Sequence, residues 1–577
     1  MNKRTFVAID IETTGLNPNE PHSKIFCVAI NTGSTIKVET DISKLKPLLE
    51  DKSICKVVHN AAFDCFWLKT LYNIDTVNIW DTKLMEQVIL GDNLPRTDAD
   101  KIPEPIKEQL SSSLVYTLKR YGLADISKTK WMGEHFSKRD RNKPLTTQEK
   151  EYAKDDVRYL LQLQAMQEFR LVQLDLMRVA NLENKVVEVV YRMRRLGISI
   201  DKDKWLQLEA QNRANYDYII KRLPSTVNNW NSPAQVKKYF NSVGIPLRSF
   251  DDLTDDFVNA YNNTVLRKFV EARGYSTTAS KYGSNFLIDK KTGRYFIDHD
   301  GRIRADFDQI VTTGRFSCSK PPLHGLPREG EQRGAFIPAK GHRFGIGDFG
   351  GQETGIMAAA SGEELWIKSL LRGEDPLSLM ASLMFPDWVK NTEKGCVFPK
   401  KCKCPLHKRD RQISKEITYG MAYGSSAMSI SKKIKRSHHD TLILFKKHRR
   451  SAPKLNRFLE ENAKQTIATR ISYSADIYRR RRTIRDPEEW MVKNVGYNNP
   501  IQACAANMIK LSMISLSPSI PIVFPWHDEL IIEPTIKEAP KAIKELKIIM
   551  EKSADYCTGI PGMIKVEPRI AMNLLKQ

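Results

Sequence analysis

The sequence predicts a multidomain α/β protein, and three observations carry that expectation. The chain has 577 residues, which at roughly 100–200 residues per domain is room for about three to five domains or subdomains. Residues 1–90 and the chain from about 298 onward alternate short β-branched runs with segments of helical period. Between them, residues 150–220 keep a helical period over long spans, as in YLLQLQAMQEFRLVQLDLM.

The elements follow in order. FVAIDIET reads as a strand, IFCVAINT and STIKVET as a hairpin, and KVVHNA as a further strand. A boundary is expected near residue 175. Residues 200–295 are polar and mixed, with helical stretches and a Lys-rich turn at DKKTGR. The last part ends in a strand–turn–strand unit, PIVFPWHDELIIEP, and the segment 386–410 is Lys-rich and irregular, an insertion between two helices.

The formal net charge is +23, with 28% charged and 41% hydrophobic residues. Such a balance favours a polyanionic partner, because Lys and Arg that neutralise phosphates release condensed counterions. An anionic membrane surface fits the charge too, but no amphipathic basic helix supports it. Nine cysteines in a chain this long do not make a disulfide scaffold. Cys27, Cys55, Cys65, Cys318, Cys504 and Cys557 are expected to be buried thiols. The N-terminus runs directly into a strand and no window approaches 18 uncharged apolar residues, so neither a signal peptide nor a membrane span is expected, and the chain reads as cytosolic.

Asp10 and Glu12 stand two residues apart in one strand, so alternation puts both on the same face. Two acids side by side in an apolar strand repel each other, and a divalent cation relieves that cost. Alone, the pair could equally be a solvated edge strand. Asp64 follows KVVHNAAF, and Asp156 lies four residues after Tyr152 in YAKDDVRYL, which puts those two on one helical face. Four carboxylates and a tyrosine are the parts needed to hold two Mg²⁺ ions and a water against a phosphodiester.

FVAIDIETTG, VVHNAAFDCFWL and YAKDDVRYL resemble the three motifs of the DEDD exonuclease superfamily in its Tyr-containing branch. The resemblance implies an RNase H-like fold and 3′→5′ degradation of nucleic acid. It makes Asp10, Glu12, Asp64 and Asp156 metal ligands and Tyr152 the residue that orients the water. Asp155 competes with Asp156, and the Tyr-x-x-x-Asp spacing favours Asp156.

In RQISKEITYGMAYG, Arg411, Lys415, Tyr419 and Tyr423 recur every four residues, so all four share one side of a helix. Two cations beside two rings suit a nucleoside triphosphate, although an amphipathic packing face reads the same way. Two further acids decide between these readings. Asp348 follows the apolar run FGIG, as though at a strand end, and Asp528 lies at the turn of WHDELIIE. Acids at the ends of adjacent strands can share a pair of Mg²⁺ ions for nucleotidyl transfer.

The order of DFGGQE, RQISKEITYGMAYG and WHDE resembles motifs A, B and C of family A, the DNA polymerase I family, over about residues 300–577. The middle of the chain resembles that family in position only. The resemblance implies a palm, fingers and thumb. Its expected limits are an exonuclease domain at 1–175, a linker helix and thumb at 176–297, and palm and fingers at 298–577, with fingers about 360–495. Asp348 and Asp528 become the polymerase metal ligands, with Glu529 beside them as a supporting acid. Arg411 and Lys415 would bind the triphosphate, and Lys415 is a candidate acid for the leaving pyrophosphate. Tyr423 would lie near the templating base, and Glu353 would be the steric gate against a 2′-hydroxyl. His527 would sit near the primer terminus. Arg315, in TTGRFSCSKPPLHGLP, would read the minor groove, and Asn498 and Gln502, in YNNPIQACAANMIK, would touch the duplex. Tyr419, at a position that is Phe or Tyr in the family, implies weak discrimination against dideoxynucleotides.

The expected cofactor is Mg²⁺, two per site, with Mn²⁺ able to substitute. The expected partners are primer–template DNA and deoxynucleoside triphosphates, for a monomer with no membrane association. A helicase, primase or processivity factor is not identifiable from the residues. A chain that begins at the exonuclease resembles a compact phage-type replicase.

Three departures stand out. Gly350, Gly351 and Gly355 replace side chains that the family carries after the motif A acid, and His324 and Gly325 replace its Gln and Asn. GCVFPKKCKCPLH brings Cys396, Cys402, Cys404 and His407 together within twelve residues. These could hold a structural Zn²⁺, but Cys402 and Cys404 lack the two-residue gap of ordinary zinc knuckles, and a reduced basic loop is the other reading. Two further readings of the whole are a single-subunit RNA polymerase, against which Glu353, Tyr423 and the fused exonuclease argue, and an exonuclease-led repair protein. A binding protein with degenerate sites is disfavoured because every expected carboxylate is present.

Overall fold

The computed structural model describes residues 4–92, 102–124, 132–388 and 404–575. Strand β1 (Thr5–Thr13) lies at the centre of a five-stranded sheet ordered β3-β2-β1-β4-β5. β2 (Ile25–Asn31) and β3 (Ile36–Glu39) form the expected hairpin, with β2 antiparallel to both β1 and β3. β4 (Ile54–Val58) and β5 (Ile79–Asp81) run parallel on the other side. β2 is buried along its whole length and apolar but for Asn31, which requires that both faces of the sheet be covered.

Helices supply that cover. α1 (Ala61–Tyr72) buries Phe66, Trp67 and Leu68, and α2 (Thr82–Leu90) starts directly from β5 with Asp81 as its N-cap. α3 (Thr147–Arg158) opens with a capping box, Thr146 and Glu149 bonding each other's backbone N–H groups. Its buried apolar positions, Ala153 and Val157, are four apart and face the sheet.

A break at Asp175, with φ of 54°, separates the next helical stretch from α4 (Met177–Leu196). Val179, Leu182, Val186, Val190 and Met193 form a buried stripe at helical spacing on α4. α5 (Lys202–Ile220) and α6 (Thr264–Lys281) pack along each other. The chain between them closes a small core with α6 around Trp230, Phe240 and Phe269, with the Trp230 and Phe269 ring centroids 5.4 Å apart.

The last part is built on a four-stranded antiparallel sheet. β6 (Phe344–Phe349) is followed by α7 (Gln352–Ser361), α8 (Pro405–Ala422) and the long α9 (Glu489–Ser515). The hairpin β7 (Ile522–Trp526) and β8 (Glu529–Ile532) comes next, then β9 (Val566–Ala571). The order is β7-β8-β6-β9, so β6 lies between β8 and β9.

Two of the glycines after Asp348 have a geometric reason. Gly351 takes the left-handed conformation, φ +69°, at the N-cap of α7, and a Cβ at Gly355 would stand 2.4 Å from Ile564 Cγ1. The missing side chain lets the segment leading into β9 press against α7. The largest apolar cluster runs without a break from the first sheet through α4 into α7 and α9, so the two sheet-based parts share a core.

Candidate active sites

The first site sits on β1. Asp10 and Glu12 face the same way, and ligand oxygens of Asp10, Glu12 and Asp156 all lie within 4.8 Å of one another. Asp64, buried in the first turn of α1, accepts the Ile11 N–H at 3.2 Å. The five-residue constellation is therefore assembled from β1, α1 and α3. Asp155 is turned away, its carboxylate bound by Arg158 at 2.6 Å.

The electrostatics follow from burying like charges together. Burial, then the carboxylates of Asp64, Asp156 and Glu12, raises Asp10 well above the usual range. Glu12 is raised by burial and by Asp156 and Asp64, and Asp64 mainly by burial. Asp156 is pushed up to about 7 by burial and by Asp155, against a hydrogen bond from Tyr152. Tyr152 packs its ring on Phe136 at a centroid distance of 5.9 Å. Such a cluster is electrostatically unfinished, and a divalent cation is the partner its chemistry fits. Asp81 is a further acid that sequence reasoning missed. It takes the N–H groups of Asn60 and Ala61 at 3.1 and 2.8 Å and so fixes the start of α1. Its signal was an N-cap Asp before a helix.

The second site is a cavity of about 550 Å³ between the four-stranded sheet and α8. Asp348 on β6 pairs with Glu529 on β8 in the ladder. His527, with φ of 60°, and Asp528 form the two-residue turn of the β7–β8 hairpin. That turn brings Asp528 next to Asp348, and Arg328 Nη2 stands 3.5 Å from an oxygen of each. One guanidinium lies where the two carboxylates converge, which is the place a cation fits.

Arg411, Lys415 and Tyr419 line the opposite wall from α8, as their spacing predicted. Arg411 is held by Asp375, Nε to Oδ2 at 2.6 Å and Nη2 to Oδ1 at 3.1 Å. Tyr419 Oη is 3.0 Å from Thr354 Oγ1, and burial pushes its phenol up to about 12. Tyr423, the C-cap of α8, donates to Glu353, which Arg315 also holds at 2.7 Å. Tyr419 and Tyr423 lie nearly parallel, 13° apart, with centroids 6.2 Å apart.

His527 lines the cavity, and burial together with Arg315, Arg328 and Arg333 lowers its pKa. Asn498 and Gln502 lie one turn apart on α9, half-buried. His324 is 2.9 Å from the Pro525 carbonyl.

Glu529, the ladder partner of Asp348, has its own cationic partner. Its carboxylate is 2% exposed and takes Arg333 at 2.6 Å on the core side of β8. Glu567, paired with Asp348 across β6 and β9, also lines the cavity. Arg328, Asp375 and Glu567 all line the cavity and were not singled out by the sequence reading. None sits at a regular offset from a motif.

Of the Cys/His cluster, Cys396 and Cys402 lie outside the described residues. Cys404 is the N-cap of α8, and His407 is buried with its ring stacked on Trp388 at 4.0 Å. The cysteines expected to be buried, Cys27, Cys55, Cys65, Cys318, Cys504 and Cys557, are buried. No helix among the described residues is long and apolar enough to cross a membrane.

A family model described as DNA polymerase family A matches residues 206–574, and one described as 3′-5′ exonuclease matches residues 1–168. The first extends through the middle segment, where the sequence offered resemblance in position only. Among relatives, the chain is 24% identical to a DNA polymerase I of Rhizobium leguminosarum, over 93% of this chain and 52% of that one. It is 26% identical to a thermostable DNA polymerase I of Thermus aquaticus, over 67% of this chain and 47% of that one. The chain thus spans about half the length of these curated relatives. A solved structure, the POL domain of Pol1 from M. smegmatis in complex with DNA primer-template and dNTP, shares the fold at a TM-score of 0.78. It covers 99% of this chain and 95% of that one at 19% identity.

Proposed function

The chain belongs to DNA polymerase family A, and on that footing we propose that it extends a primer 3′ end on a DNA template from deoxynucleoside triphosphates. We further propose that residues 1–175 excise nucleotides 3′→5′ from the same strand. One observation carries the reading most directly. Asp348 and Asp528, each 3.5 Å from one guanidinium, face Arg411 and Lys415 across a single cavity. Acids that converge on one side and cations on the other are what a nucleotidyl transfer needs.

Asp348 and Asp528 in one site, and Asp10, Glu12, Asp64 and Asp156 in the other, would hold divalent cations, Mg²⁺ first, which supply a more acidic hydroxyl or water and take up phosphate charge. The remaining steps belong to side chains. Arg411, with its fork fixed by Asp375, and Lys415 bind the triphosphate, and Lys415 Nζ delivers a proton to the departing pyrophosphate oxygen. Glu353, clamped by Arg315 and Tyr423, forms the floor under the sugar and leaves no room for a 2′-hydroxyl. Tyr419 and Tyr423 offer ring faces near the base pair. His527, Arg315, Asn498 and Gln502 line the primer and template path. In the excision site Tyr152 orients the attacking water.

In this reading residues 176–297 are linker helix and thumb, and 298–577 are palm and fingers, with fingers about 360–495. The protein acts as a monomer in the cytoplasm, in phage-type DNA replication. Primer extension on a defined template tests the proposal, with each deoxynucleotide, each ribonucleotide, and the Asp10→Ala, Asp348→Ala and Asp528→Ala proteins. Asp348→Ala and Asp528→Ala are expected to stop extension and keep excision, and Asp10→Ala the reverse. Extension that survives loss of either polymerase acid would overturn the reading, and efficient ribonucleotide incorporation would favour an RNA-synthesising enzyme.

A further inference from the structure

Glu183, on α4, is fully buried. Lys510 Nζ donates to its carboxylate at 2.6 Å, Arg480 donates to the same oxygen, and Gln309 Nε2 reaches the other at 2.6 Å. Arg480 Nε continues to Asn507 Oδ1 at 2.9 Å, and Asn507 Nδ2 to Asp476 at 3.0 Å. Two acids and two bases thus balance in one buried network. Taking such charges out of water is costly, and the cost is offset only when the hydrogen bonding is complete. A network of this kind is weak support for stability and better suited to fixing geometry.

What it fixes is the segment that carries Arg315. The Gln309 carbonyl accepts Lys510 Nζ at 2.8 Å, and Lys510 Nζ lies 5.1 Å from the centre of the Phe316 ring. Gly314, with φ of +80°, rests on Arg480, where a Cβ would come within 2.6 Å of Nε. The segment 309–316 therefore touches the ionic cluster at three points, and Arg315 Nη2 projects from it to Glu353 at 2.7 Å. The residue after Glu183 does the same for the other site. Asn184 Oδ1 accepts the Asp81 N–H at 2.9 Å, and Asp81 holds the start of the helix that carries Asp64.

We propose that Glu183, with Arg480 and Lys510, and its neighbour Asn184 act as positioning residues that hold the Arg315 segment and the Asp64 helix in one register, and so set how a primer 3′ end divides between extension and excision. This inference rests on the two activities proposed above. It assigns α4 the task of linking them through adjacent residues, one turned to each site.

The test uses the full chain with Arg480→Lys, which keeps the charge but loses the Nε bond to Asn507 and the flat surface under Gly314. Asn184→Ala serves as a second variant on the excision side. Three rates are read: extension of a matched primer, with kcat and KM for the nucleotide separated; excision of a single-stranded oligonucleotide; and excision from the matched duplex during synthesis. Arg480→Lys is expected to raise the duplex excision-to-extension ratio about ten-fold, mainly through KM, as a positional coupling of ordinary size would. Single-strand excision should stay within about two-fold of wild type, and Asn184→Ala should lower it without changing extension. An unchanged ratio in an Arg480→Lys protein that melts like wild type overturns the inference, and so does a parallel loss of extension and single-strand excision. A wild-type protein that fails to extend any primer instead overturns the polymerase reading.

Discussion

The Tyr423 hydroxyl donates to the carboxylate of Glu353, so the C-terminal end of α8 and the first turn of α7 meet in one hydrogen bond beneath the cavity. Arg315 takes the other oxygen of Glu353 at 2.7 Å. A carboxylate held from both sides cannot swing away from a substrate sugar. Glu353→Ala is expected to relax ribonucleotide exclusion on the order of a hundred-fold, because rejection by a filled pocket is lost when the filling group is removed. Tyr423→Phe leaves the carboxylate with Arg315 alone and should relax it less. Competing ribo- and deoxynucleotide incorporation at one template position measures both, and equal selectivity in Glu353→Ala and wild type would show that the floor of the sugar pocket lies elsewhere.

Tyr419 Oη lies 3.0 Å from Thr354 Oγ1, at the cavity wall and near Glu353. A hydroxyl there can supply the hydrogen bond that a dideoxynucleotide lacks. Tyr419→Phe is expected to strengthen discrimination against dideoxynucleotides by about ten-fold or more, the worth of one hydrogen bond in a desolvated site. Chain-termination patterns that are the same for both proteins would remove Tyr419 from that role.

The excision cluster predicts a pH dependence. Asp10, Glu12 and Asp64 are raised well above their ordinary values, and Asp156 to about 7. Without divalent cation the folded protein therefore binds more protons than the unfolded chain above the ordinary carboxylate range, for Asp156 up to about pH 7. The stability that protonation confers is full below the ordinary carboxylate range, and the share owed to Asp156 is lost as pH rises through about 7. Added Mg²⁺ competes with those protons, so the rise in Tm it causes should be larger at about pH 8 than at about pH 5.5. Asp156→Asn should flatten the difference. Thermal melts with EDTA and with Mg²⁺ at the two pH values decide it, and a larger Mg²⁺ effect at the acid end would contradict the cluster's assignment.

Gly355 has no room for a methyl group against Ile564. Gly355→Ala is expected to cost about 1–3 kcal/mol by overpacking, read as a lower urea midpoint with the same slope. Gly355→Ala combined with Ile564→Ala should recover part of the loss, because the two sites are in contact. Additive losses would mean that the contact is not what excludes the side chain.

Much of both sites was legible because their parts repeat along single elements. Asp10 and Glu12 share a strand face at an offset of two, and Arg411, Lys415 and Tyr419 share a helix face at offsets of four. WHDELIIE announces its own turn. The mixed α/β architecture was legible for the same reason, since period alone separates strand from helix over long stretches. Glu529 marks where this reading ends. It follows Asp528 directly, and a sequence offers both as acids of one site. The hairpin puts Asp528 in the turn beside the cavity, while Glu529 opens β8 as the ladder partner of Asp348 and engages the buried Arg333, a partner that short offsets do not announce.

The sequence by itself determined the chemical kind of each site and the order of its motifs, because those depend on residue types at short, regular offsets. The tertiary structure alone decided which distant groups complete them. Arg328 comes within 3.5 Å of acids 20 and 200 residues away. Asp375 meets Arg411 across 36 residues, and Glu183 collects Lys510 across 327. Such partners have no local period to betray them. They are selected by the packing of sheets and helices that brings remote backbone together, and by the cost of leaving a buried charge without an opposite one.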